Sequence, residues 1–314
     1  MRRLLILTAF SLLLQTAWGA TRPIERIRVA KGPHFSTLSA DGRHLFVTSF
    51  ADSEIQVIDT ELNRLVKSFY GGYEPIGIAA SPAGDKLFVT NLGPGLVKAI
   101  DARTFEILDD IKVGGRPSNI VVSPTGLEAF VTNFGRGRIG RVDFIDTTTH
   151  RILGELEIGV RPLAATVSPL GDQLYVICSG SNDLYAIDVN RRAVIATIPV
   201  GMAPDGIAIT PDGLTLYVAN SGTDDVSVID LLDLREIRRV RVGSKPFSMT
   251  LDGEGRLWVV ETGDRAVSVY SRDFKRLHQF QARRKPIDVT LSRNNRFAYV
   301  TDELDNRLLV FEVP

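Results

Sequence analysis

One proline-led phrase recurs along this chain at a nearly constant interval. Gly-x-x-Pro opens most copies, an apolar run and Ser-Pro-x-Gly follow, and Leu-Phe/Tyr-Val-Thr/Ala-Asn closes the phrase. The leading prolines are Pro33, Pro75, Pro117, Pro162, Pro204, Pro246 and Pro286, separated by 42, 42, 45, 42, 42 and 40 residues. A unit of that length cannot bury an apolar face alone, so the units must pack on one another.

The fifth copy shows what each unit is made of. Asp205–Thr210 reads as a short apolar strand, Pro211-Asp212-Gly213 as a turn, and Leu214–Asn220 as a second strand rich in β-branched and aromatic residues. Asp225–Asp230 and Glu236–Val242 read as third and fourth strands beyond a polar loop. The other copies overlay this one, and no helical periodicity of useful length interrupts them. Four antiparallel strands per repeat, seven times over, predict an all-β, seven-bladed β-propeller of four-stranded antiparallel blades.

The two ends complete each other. The seventh repeat stops at Val313-Pro314 after its third strand, whereas Ile24-Glu25-Arg26-Ile27-Arg28-Val29 resembles the fourth strand Glu236–Val242. The N-terminal strand should therefore pair with Leu308–Glu312 in the last blade, closing the ring and removing an exposed edge.

Residues 1–19 read as a cleavable signal peptide. Arg2 and Arg3 precede the 11-residue apolar stretch Leu4–Leu14, and Ala17-Trp18-Gly19 supplies small residues before the cut. That stretch is too short to span a bilayer. The expectation is an exported, periplasmic protein without a transmembrane anchor, with residues 20–314 forming one propeller domain. The chain carries 37 basic and 37 acidic residues, so bulk charge gives no reason to expect nucleic acid. Cys178 is the sole cysteine, which excludes an intrachain disulfide, a cysteine zinc site and a C-x-x-C-H haem attachment.

The phrases Leu87-Phe88-Val89-Thr90-Asn91, Phe130-Val131-Thr132-Asn133 and Leu216-Tyr217-Val218-Ala219-Asn220 resemble the YVTN-family β-propeller repeat across essentially all of the exported part. The resemblance implies an exported or surface propeller and assigns no chemistry. Some relatives belong to quinone- or haem-linked periplasmic systems.

Function on a repeat scaffold lies where the repeats differ. The loop leading into the first strand and the loop joining strands two and three should share one face. Just before the leading prolines stand Gly32, Glu74, Arg116, Arg161, Ala203, Lys245 and Lys285, and the lengthened third repeat adds Arg136 and Arg138. These cations suit carboxylates and phosphates and read as an anion-binding mouth. Asn119 and Asp288, two residues after their prolines, are candidate channel ligands. The second strands end in Ser49, Asn91, Asn133, Cys178, Asn220, Glu261 and Asp302. Asparagine there suits turn capping, whereas Glu261 and Asp302, with Asn220 or Asn91, could hold a calcium ion. Propeller lactonases keep such an ion in their channel.

No nucleophile elbow, P-loop or dinucleotide fingerprint occurs. The chain thus reads as a monomeric, non-catalytic binding or scaffold protein for a protein partner or small anionic ligand, with no cofactor required by the sequence. Two alternatives stand beside this reading: a metal-assisted, lactonase-like hydrolase, and a carrier or assembly factor for a periplasmic redox cofactor.

Overall fold

The second strand of each repeat is apolar on both faces, and this dictates the architecture. In blade 2, Leu87 and Val89 pack towards blade 1 while Phe88 packs towards blade 3. Side chains alternate across a strand, so a strand apolar at successive positions must be covered on both sides. Stacking sheets face to face does this, and right-handed twist turns the stack into a ring.

The computed structural model of the chain describes residues 21–135 and 139–314, and among them every regular element is a β-strand. The strands form seven four-stranded antiparallel sheets, six of them in sequence order from the proline-led inner strand outwards, the seventh taking its outermost strand from the start of the chain. Blade 5 runs Pro204–Ile209, Thr215–Asn220, Asp225–Asp230 and Arg235–Arg241, within one residue of the bounds expected from the sequence. The inner strands pack side by side around the axis, the first against the seventh as well as against the second.

Seven apolar clusters fill the seven gaps between blades. The gap between blades 6 and 7 holds the largest buried side chain, Trp258, stacked on Phe280 with ring centroids 5.2 Å apart.

The consensus threonine of the second strand ties neighbouring blades together. Thr48 Oγ1 donates to the Ile76 carbonyl of blade 2, Thr90 Oγ1 to Ser118 of blade 3, and Thr301 Oγ1 to His34 of blade 1. The turn serine works locally. Ser81 Oγ accepts from the amide of Lys86, and Ser123 Oγ from that of Glu128. The turn glycines, such as Gly84, take positive φ; in blade 7 Asn295 occupies that position at φ 52°.

The ring closes as the sequence predicts. Glu25–Arg28 pairs antiparallel with blade 7, with Glu25 opposite Val310 and Arg28 opposite Arg307. Ile27 and Val29 enter the cluster between blades 7 and 1 beside Leu45, Ile58 and Tyr299. The signal peptide read over residues 1–19 lies outside the described residues, and no described helix is long and apolar enough to cross a membrane.

Burying Ile27 and Val29 contributes about 1.5–3 kcal/mol each. Deleting residues 21–30 should lower the melting temperature by roughly 10 °C or more and expose the Arg307–Glu312 edge to aggregation. An unchanged melting curve in calorimetry would contradict this latch.

Candidate functional site

In all seven blades, the residue after the second strand donates its amide to the carbonyl of the residue before the leading proline. Examples are Phe134 to Arg116, Ser179 to Arg161, Thr262 to Lys245 and Glu303 to Lys285. These bonds place the two loops on one face, the upper face, around the ends of the inner strands.

Arg116, Arg161 and Lys245 are exposed there, whereas Lys285 is half-buried and pairs with Glu303 at 2.5 Å. Arg161 lies over the Phe134 ring, 5.9 Å from its centroid, which brings blades 3 and 4 together. Lys245 and Lys285 stand farther round the ring in blades 6 and 7. Arg136 and Arg138 lie outside the described residues. Glu74, Arg161, Ala203 and Lys245 all have positive φ. Because this backbone recurs in five blades, Gly32 included, it belongs to the repeat and marks no single residue as functional.

Every inner strand carries a register shift directly after its proline, as between Pro117 and Asn119 or Pro204 and Gly206. Such a bulge frees a residue from the ladder and re-aims its side chain. The positions after the prolines are His34, Ile76, Ser118, Leu163, Asp205, Phe247 and Ile287, of which all but Ser118 and Ile287 are only half-buried. The upper ends of the inner strands thus carry half-buried Ile76, Leu163 and Phe247 together with two ionisable groups, His34 and Asp205. Burial lowers the His34 pKa to about 4, with Glu303 opposing and Lys285 reinforcing that fall, and its buried Nδ1 has no hydrogen-bond partner. Burial raises the Asp205 carboxyl above its usual range, while the Ser221 hydroxyl and Arg161 pull it partly back. Asp205 escapes a sequence reading that compares the positions one before and two after each proline. The signal was the position directly after the proline, which takes six residue types in seven copies.

Two residues after the proline, crowding governs. A Cβ on Gly206 would lie 2.3 Å from the Phe247 carbonyl oxygen, and one on Gly77 2.7 Å from that of Ser118. Asn119 is half-buried, with an unpartnered Oδ1. Asp288 bridges three blades. One carboxylate oxygen accepts from the amide (3.0 Å) and hydroxyl (2.8 Å) of Ser36, and the other from Ser248 Oγ (2.8 Å). Burial nevertheless raises its pKa, outweighing those donors.

The residues ending the second strands face their own loops. Asn133 donates to Gly114 O and Asp143 Oδ2, and accepts from the amides of Arg116 and Gly135. Asn91 donates to Gly71 O, and Asn220 to Asp225 and Ser227. Glu261 accepts from the Gly243 amide (2.9 Å), Ser268 Oγ (2.6 Å) and the Tyr270 hydroxyl (2.6 Å). Asp302 accepts from the amides of Arg283, Arg284 and Lys285 at 2.8–3.0 Å. A calcium ion needs six to eight oxygens. These carboxylates already hold the loops, and no three His, Cys, Asp or Glu side chains gather as a metal set among the described residues. This geometry does not fit a lactonase-type ion. Cys178 is buried with its thiol pushed up to about 12, chiefly by burial, which suits a packed side chain rather than a nucleophile.

Comparisons with known proteins follow the same divide between fold and function. Residues 169–302 match the family model of the SMP-30/gluconolactonase/LRE-like region, and residues 19–132 that of the cytochrome D1 haem domain. Neither match reaches half of the chain. No curated protein sequence matches. Among solved structures, Kuenenia stuttgartiensis hydrazine synthase superposes with a TM-score of 0.84 at 22% identity, covering 91% of this chain and 97% of that one. At that identity the likeness speaks for the fold alone.

Asp302→Ala strands three amides and should cost about 2–4 kcal/mol, while millimolar calcium leaves the wild-type melting temperature unmoved. A calcium-dependent rise in the wild type that Asp302→Ala abolishes would restore a metal role. For Asp288, the raised folded pKa means that its contribution is complete below the unfolded value of 3.8 and is lost as pH rises through the folded value. Asp288→Asn, uncharged throughout, should melt above wild type at neutral pH, with the gap shrinking as pH falls towards 4. A pH-independent gap would show that the carboxyl does not titrate in this way.

Proposed function

We propose that this chain is an exported, periplasmic, monomeric propeller of the YVTN-repeat type that binds without catalysing, holding an anionic redox cofactor of the haem kind at the mouth of its axial channel. The observation that carries this reading is the conjunction at the upper face of the neutral His34 imidazole, whose buried Nδ1 is unpartnered, with apolar residues and a basic rim. The match to the cytochrome D1 haem domain supports it independently, and that match includes His34.

The residues suit such a group chemically. His34 stays neutral above about pH 4 and so keeps a nitrogen lone pair available for iron. Ile76, Leu163 and Phe247 offer apolar cover for a flat macrocycle. Arg116, Arg161, Lys245 and Lys285, with Arg136 and Arg138 of the third repeat, would take its carboxylates. Asn119 and Asp288 lie one residue further along their inner strands. The bound group would supply electron transfer; the protein's own part is to bind it, orient it and limit water.

Titration with hemin tests the reading. Saturable binding with a shifted Soret band is expected. His34→Ala should change the band, and Arg161→Glu with Lys245→Glu should weaken binding about tenfold per lost contact, or ~1.4 kcal/mol each. The band should persist down to about pH 5, where an ordinary histidine of pKa 6.5 is mostly protonated. No chromophore in protein from its native host, together with no saturable shift, would end this reading.

A lactonase-like hydrolase is the second reading, favoured by the match over residues 169–302, which contains both Glu261 and Asp302. The loop-holding bonds of those carboxylates count against it, and metal analysis of purified protein separates the two.

A further inference from the structure

The opposite, lower face carries a different chemistry at one place. Between blades 1 and 2 lies an open groove of about 610 Å³, with Val66 and Phe105 at its accessible rim over the buried side chains of Phe46, Val57 and Leu87. Across the blade 1 turn, between blades 7 and 1, lies a second cavity of about 600 Å³, lined by Arg43, Arg293 and Arg296 among others. Asp41 lines both, so the two are neighbours that share a wall.

The apolar wall is firmly built. Phe105 stacks on Phe69 with centroids 4.7 Å apart, and Lys67 Nζ sits 4.5 Å from the Phe105 centroid. Val66 at the rim is 45% exposed. The charge is one-sided. Lys67, Arg103, Arg43, Arg293 and Arg296 surround the two cavities, and none of them carries an ion pair among the described residues. Asp41 and Glu61 are the acids present, and Asp41 is engaged by the Ser39 hydroxyl and the Arg43 amide. Arg293 is fixed across the blade seam by its bond to the Ala40 carbonyl.

A small anion would leave the apolar groove empty, and an apolar ligand would leave five cations unanswered. An occupant that satisfies both must be extended and must carry a hydrophobic side chain beside carboxylates. We infer that the lower face of blades 7, 1 and 2 docks an extended acidic segment of a partner protein, with an aromatic or large aliphatic side chain seated against Val66 and Phe105 and carboxylates on the surrounding cations. Anchor-in-groove binding with a charged rim is the ordinary anatomy of peptide recognition. The surface is independent of the upper-face site.

Panning a phage-displayed random 12-residue peptide library on the full exported chain tests this. Enriched peptides should carry Asp or Glu within a few residues of an aromatic or large aliphatic residue. As labelled synthetic peptides, they should bind at least tenfold more weakly to Val66→Glu and to Arg103→Glu with Arg293→Glu, with affinity falling as salt rises. All three substitutions lie at exposed positions, so wild-type melting temperatures in the variants would confirm that folding is intact. Three results overturn the proposal: a library that yields no binder, binders without acidic residues, or binders held equally by the variants. Self-association or capture on anionic vesicles that Val66→Glu abolishes would also overturn it, in favour of a second copy or a membrane.

Discussion

Burial of both faces of the second strands is the interaction on which everything else depends. Phe46, Phe88, Phe130, Trp258 and Tyr299 have no solvent access because a neighbouring blade covers each of them. No blade could keep these side chains dry by itself. The seven apolar layers therefore have to form together, and the last of them, between blades 7 and 1, forms only when the chain brings its two ends into one sheet. Without a disulfide, the latch consists of backbone pairing and the side chains of Ile27 and Val29.

The same constraint shapes the axis. Seven inner strands converging on a line leave no space for a Cβ at Gly77 or Gly206, so crowding accounts for much of what is small there. Convergence also demands a way for the chain to enter from the rim, and the bulge after each leading proline provides it. The bulge frees one side chain per blade, and its identity is unconstrained by the ladder. This is why His34, Asp205 and Phe247 can occupy equivalent positions. A binding site on such a ring is a matter of what seven independent substitutions place at one mouth, and electrostatic neighbours from adjacent blades then tune each group, as Lys285 and Glu303 do for His34.

Polar residues that look like chemistry in a list of equivalent positions can instead be part of the frame. Glu261 and Asp302 depart from the asparagine consensus, yet each performs the work of Asn133, collecting donors from the loop that leads into its own blade's proline. A longer acidic side chain reaches more amides, or a tyrosine and a serine besides. The departure from consensus reflects a different loop to be held. Sequence comparison sees the departure but cannot see the direction in which the carboxylate points.

The spacing of the prolines, the alternation within each strand and the likeness of Ile24–Val29 to a fourth strand were sufficient by themselves for blade number, strand order and closure. Local sequence carries that information because every unit must solve the same burial problem with the same residues. The sequence could also mark the upper face and its cations. Tertiary structure alone decided which polar groups are spoken for, that Asp205 stands beside Arg161, that His34 sits between blades 1 and 7, and that arginines of blade 7 lie next to an apolar groove of blades 1 and 2. Those facts join residues as far apart as 43 and 293, and only the closed ring, through its geometry, sets them side by side.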